Sequence, residues 1–301
     1  MNRFYSAYRK IKFLWKKGSF FNISSHPGHC KSTYPKGTFT VIFFNSTLLF
    51  LLAYLLISTV TKIATGISAY AFDIKTVLYY YNIDYLIKGT DWFTDAVQVI
   101  FSTAPMTSFI FGILLLVIYV KVMAETGILR LLILWMMAHS IVFFLGDIFT
   151  GAIFNQGFGY VIIYFFFMDT GKMIICFITL LAMITLGLFL TRIFLFSGNI
   201  YFNMLNSVNR TKFIWNQIIY PFFAGNLIIA LFKIPNITIY EVCTNATMLF
   251  ILIPVAIRGK NMQDLYFDED PRTIKFSGLI AGITFFLLIS YRIAFGIGIR
   301  L

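Results

Sequence analysis

Runs of about 20 consecutive apolar residues recur along this chain, separated by short polar segments. Residues 39–60, 129–149, 173–193, 213–231, 237–257 and 276–297 each have the length that crosses a bilayer core as a helix. A further run extends from Asp91 to Val120, about 45 Å as one helix and too long for one upright crossing. Pro105 is expected to divide it into an interfacial or re-entrant piece and a true span, and Thr90 to cap a helix beginning at Asp91. The apolar runs are continuous rather than alternating, which argues against a β-barrel. The pattern predicts an all-α polytopic membrane protein with about seven transmembrane helices.

Residues 150–169 break the pattern. Gly151, Gly157 and Gly159 fall within nine residues and precede the aromatic run 160–168. Non-helical backbone at membrane depth is tolerated where protein or a water-filled cavity covers it. We therefore expect a glycine-rich re-entrant segment here rather than an eighth span. Pro221, Pro235 and Pro254 also lie within or beside apolar runs, where they kink helices either to pack or to form a site. No internal repeat is evident, so the inverted repeats of many transporters find no support.

Charge sets the orientation. No Asp or Glu precedes Asp73, whereas residues 1–36 hold eight lysines and arginines. With seven spans, the predicted cytoplasmic segments carry 17 Lys and Arg against 6 outside, with Arg292 inside the last span left uncounted. With eight spans the bias falls to 13 against 10, so the positive-inside rule favours seven and a cytoplasmic N-terminus. Within the leader, Phe4, Tyr8, Ile11 and Trp15 form one helical stripe flanked by Arg9, Lys10, Lys12, Lys16 and Lys17. This predicts an amphipathic helix on the cytoplasmic leaflet, with anionic lipid headgroups as partners of its cations; a docking site for a protein is the alternative. Residues 1–37 are this helix and a linker, and residues 38–301 form a single transmembrane domain.

Composition agrees: 59% of residues are hydrophobic and 12% charged, against about 25% charged in soluble domains. The net charge of +12 flanks the spans, so it is read as topology control and not as a nucleic-acid footprint. Cys30, Cys176 and Cys243 are scattered and imply no disulfide framework or thiolate site. The first apolar run reads as an uncleaved signal anchor. With the abundance of Ile, Phe, Tyr, Lys and Asn, typical of AT-rich genomes, this suggests a bacterial inner membrane.

Ionisable and amide groups within spans are the best pointers to function, because burying them is costly. His139, Asp147, Asn155, Asn226 and Glu241 are the candidates for a polar cavity, with Asn216 and Asn245 nearby in sequence. On a regular helix His139 and Asp147 lie about 12 Å apart along the axis and about 80° around it, able to line one cavity at different depths. A zinc protease would need His-Glu-x-x-His, but Ser140 follows His139 and Phe143 holds the second ligand's place. His26, His29 and Cys30 lack a second ligand pair and read as a solvated linker. No phosphate loop, dinucleotide fingerprint or nucleophile elbow occurs, so no catalytic residue, metal or cofactor is expected. The mixed-charge segment 258–275 reads as a cytoplasmic connection or partner surface.

Two functions follow. One is a non-enzymatic subunit or accessory factor of a larger membrane assembly, with other membrane proteins as partners. The other is a small transporter or channel with a polar site lined by His139, Asp147, Asn155 and Glu241. A packed, satisfied set of polar groups favours the first; a water-accessible cavity favours the second.

Overall fold

The computed structural model describes residues 37–122, 128–165, 167–267 and 275–301. The predicted amphipathic helix with Arg9, Lys10, Lys12, Trp15, Lys16 and Lys17 lies outside the described residues, as do His26, His29 and Cys30. The fold is mostly helical. Six helical stretches among the described residues are long and apolar enough to cross a membrane, which suggests a multi-pass membrane protein; a shorter apolar helix follows them.

Helix α1, Thr38–Tyr70, is the central post, packed against all of its main neighbours. At 33 residues it is about 50 Å long and continues ten residues past the apolar run. Its polar residues stay helical because their hydroxyls turn inward onto the preceding turn. Thr59 donates to Leu55 O at 2.7 Å, Thr61 to Ile57 O at 3.1 Å and Thr65 to Thr61 O at 2.9 Å. Strands β1, Thr76–Leu78, and β2, Ile83–Tyr85, then form a hairpin. The segment after α1 is therefore partly sheet.

Helix α2, Thr94–Val122, is continuous through Pro105, and Thr90 does not cap it, since the helix begins four residues later. Pro105 does not divide it because α1, α3 and α5 pack along it and support the turns around the proline. Helix α3, Ile128–Ile141, runs through a π-helical turn, Val142–Gly146, into α4, Asp147–Phe154. A short helix, α5, Gly159–Tyr164, folds back on α4, and α6, Asp169–Phe196, follows. Glycine permits this reversal: a Cβ on Gly151 would sit 2.6 Å from Gly159 N, so only two bare backbones can approach this closely.

Strand β3, Met204–Leu205, precedes α7, Ser207–Ile214, a second π-helical turn at Trp215–Ile219, and α8, Tyr220–Lys233. Helices α9, Ile239–Ala246, and α10, Leu249–Lys260, form the sixth long stretch. Strand β4, Leu265–Tyr266, pairs with β3. The last helix, α11, Gly278–Ala294, ends before β5, Ile299–Arg300, which pairs with β1 to complete the order β2-β1-β5.

The two sheets mark opposite ends of the bundle. Near the β3–β4 end, Trp135 is fully buried, edge-on to Phe50 and Phe194 with centroids 5.0 and 5.6 Å away. Its indole N–H donates to Ser46 Oγ at 3.0 Å, Ser46 donates to Gln217 O at 2.6 Å, and the Gln217 amide donates to Ser197. This thread ties α1, α3 and the second π turn together. At the other end Arg292 donates to Phe232 O and Ile234 O, and its guanidinium lies 4.0 Å from the Tyr80 ring centroid. The charge of the last helix thus caps the carbonyls that end α8.

Candidate functional site

The three-stranded end of the bundle is hollow. A cavity of about 1110 Å³ lies between α1, α2, α4, α5, α8 and α9, with part of its wall from residues 81–92. That is just above the usual size range of small-molecule sites, about 300–1,000 Å³. Three acidic side chains, Asp84, Asp147 and Glu241, and two lysines, Lys62 and Lys233, are on its lining.

Asp147 opens α4 directly after the π turn, and the extra residue in that turn changes its phase relative to α3. Tyr240 donates its hydroxyl to Asp147 Oδ1. One turn along, the Thr150 and Thr244 hydroxyls meet at 2.7 Å. Asp147 and Thr150 therefore face Tyr240 and Thr244 as two polar rungs between α4 and α9. Gly157, in the left-handed region at φ +55°, closes over this pair: a Cβ there would press on the Tyr240 hydroxyl and sit 3.1 Å from Asp147 Oδ1.

Lys233 ends α8 and Glu241 lies in the first turn of α9, where the Thr238 hydroxyl accepts from Glu241 N at 3.3 Å. Lys233 is 5% exposed and donates to Glu241 Oε1 at 2.8 Å. Glu241 Oε2 is buried without a hydrogen-bond partner. Lys62, on the extra turns of α1, donates to Tyr79 O and Tyr80 O, both at 2.8 Å, and so pins the hairpin over the cavity.

One wall is aromatic. Trp92 lies 5.4 Å from Tyr85 and 5.5 Å from Phe101, and Phe101 lies 4.9 Å from Tyr160, centroid to centroid. Burial pushes the Tyr85 phenol up from its ordinary range, which keeps it a neutral donor.

The expected site residues divide. Asp147 and Glu241 line the cavity. His139 does not: it is 1% exposed, packed edge-on to Phe50 at 4.5 Å and Tyr54 at 5.6 Å, behind the Tyr54 that lines the wall. Asn155 is also outside it, at the end of α4 with φ +54°, accepting from Lys172 at 2.8 Å. Asn226 donates to Phe222 O and lines a second, smaller cavity of about 210 Å³. Lys62, Lys233, Tyr240 and the aromatic wall were not anticipated. Ending the first span at Val60 hid Lys62. Among the described residues, no cluster of three His, Cys, Asp or Glu could hold a metal.

No protein-family model, curated protein or solved structure matches this chain.

Proposed function

We propose that this is a seven-span membrane protein that takes a small organic solute from the outer side into a site between its helices, as a transporter does. The observation that carries the reading is the cavity lined by Asp147, Glu241, Lys233 and Lys62. Charged groups in a membrane domain are costly unless a water-filled space or a substrate uses them. The reading of a purely structural subunit needs these groups satisfied inside packed protein, and the cavity weighs against it.

The supporting topology is economical. Pairing of β5 with β1 sets residues 299–300 beside 77–78, and pairing of β3 with β4 sets 204–205 beside 265–266. An odd number of crossings satisfies both pairings if α11, about 25 Å long, is the seventh. The 150–168 segment turns back: Lys172, in the first turn of α6, reaches Asn155, at the end of α4. A cytoplasmic N-terminus then places the three-stranded sheet and the cavity mouth outside. A bacterial inner membrane, anionic lipid at the leader and partner subunits stand as companion proposals from the sequence.

Thermal unfolding in lipid nanodiscs with a panel of small amines, carboxylates and zwitterions tests the reading. At least one class should raise the midpoint of the native chain, by an amount equivalent to about 1.4–2.7 kcal/mol at 10 to 100 times its dissociation constant. Thr65→Trp, which narrows the cavity from the α1 side, should reduce the rise. A panel without effect, or an effect unchanged by Thr65→Trp, would overturn the proposal.

A further inference from the structure

The second cavity shares a wall with the first. Lys233, Glu241 and Asn245 line both. The remainder of the small cavity is almost wholly apolar, from side chains such as Phe222, Ile229, Ala230 and Leu249. It lies between α8 and α9–α10 and reaches the outer surface of the bundle, where its lining residues Phe223 and Val242 are 56% and 47% exposed. A polar chamber and an apolar side crevice thus meet at one partly buried charge pair.

The charges at this junction are unequally used. Lys62 spends two N–H groups on backbone carbonyls, and Lys233 is paired with Glu241 Oε1. Glu241 Oε2 has no donor. The chamber carries three carboxylates against two ammonium groups, with the rings of Tyr85, Trp92, Phe101 and Tyr160 along one side. Carboxylates beside aromatic faces favour an organic cation over an anion.

We infer that the solute is a cationic amphiphile: its ammonium head occupies the chamber near Glu241 and the aromatic wall, and its alkyl tail lies in the crevice between α8 and α9–α10. This rests on the reading of the large cavity as a solute site and names the class of solute. The crevice, at 210 Å³, accommodates about seven units of the 30 Å³ that a water occupies in the liquid. Each buried methylene is worth about 0.8 kcal/mol, so affinity referred to the aqueous concentration should rise roughly fourfold per carbon until the crevice is full.

The test is calorimetric titration of the full chain in nanodiscs, with empty nanodiscs subtracted, using tetramethylammonium and butyl-, hexyl- and octyltrimethylammonium, with octyl sulfate as the anionic control. The cations should bind with affinity rising along the series, and octyl sulfate at least tenfold more weakly than its cationic counterpart. Ala230→Trp should flatten the series while leaving tetramethylammonium within about twofold; Val242→Trp, at an exposed position, provides the same test if the first variant does not fold. Lys233→Met/Glu241→Gln, which removes the pair together, should weaken the preference for the cation without abolishing it, since Asp84 and Asp147 remain against Lys62. An affinity independent of chain length, equal binding of octyl sulfate, or no binding of any cation would each overturn the inference. In each case the solute panel still decides separately whether the large cavity binds carboxylates or zwitterions.

Discussion

Gly157→Ala isolates the contact that holds the cavity wall. Gly157 adopts φ +55°, where a Cβ costs about 1–2 kcal/mol in backbone strain. The added carbon would also press on the Tyr240 hydroxyl and lie 3.1 Å from Asp147 Oδ1. Relief requires Tyr240 to leave Asp147, losing a charged hydrogen bond of about 1.5–3 kcal/mol. The expected total is about 2.5–5 kcal/mol. Tyr240→Phe removes the hydroxyl in advance, so in that background Gly157→Ala should cost little more than the strain. Unfolding midpoints of the four proteins of this cycle, measured in one detergent, should therefore show coupling of at least about 1.5 kcal/mol. Equal costs of Gly157→Ala in both backgrounds would refute the claim that this glycine exists to accommodate the Asp147–Tyr240 contact.

Other outcomes follow from the same geometry. Lys62→Met removes both ties between α1 and the hairpin, so amide exchange over residues 76–85 should quicken while that of α3 is unchanged. Lys233→Met alone should destabilise by about 1–3 kcal/mol because it takes the donor from a partly buried Glu241, and adding Glu241→Gln should recover most of the loss in thermal unfolding. Gly187→Val should separate α6 from α10, since a Cβ at Gly187 would press on the Ile251 carbonyl oxygen and lie 3.0 Å from the carbonyl carbon; a midpoint equal to that of the native chain would contradict this packing.

Helix positions were legible because apolar runs of span length carry a strong signal. Boundaries were less so where polar residues satisfy themselves locally. Thr59, Thr61 and Thr65 look like the exit from a membrane, yet each returns its hydroxyl to the helix, and α1 carries Lys62 to the cavity. Pro105 looks like a break, but neighbouring helices hold α2 together. The cluster of glycines lies where α5 folds back on α4, and there the bare backbones of Gly151 and Gly159 touch.

For the site, Asp147 and Glu241 were readable as costly intramembrane acids. Their partners were not, because Tyr240, Lys233 and Lys62 come together only through the packing of α1, α4, α8 and α9. His139 drew attention for the same cost but sits among aromatic rings behind the wall. The regular-helix phase between His139 and Asp147 also failed, since a π turn at Val142–Gly146 lies between them.

A nitroxide at Ala104, on the cavity wall of α2, compared with one at Val117, on its exposed apolar surface, tests the proposed solute chamber most directly. In nanodiscs, collisions with a water-soluble nickel chelate should dominate at Ala104 and oxygen collisions should dominate at Val117. Oxygen-dominated relaxation at both positions would mean that water does not reach the space between the helices, and the account of this protein as a solute-binding membrane protein would be contradicted.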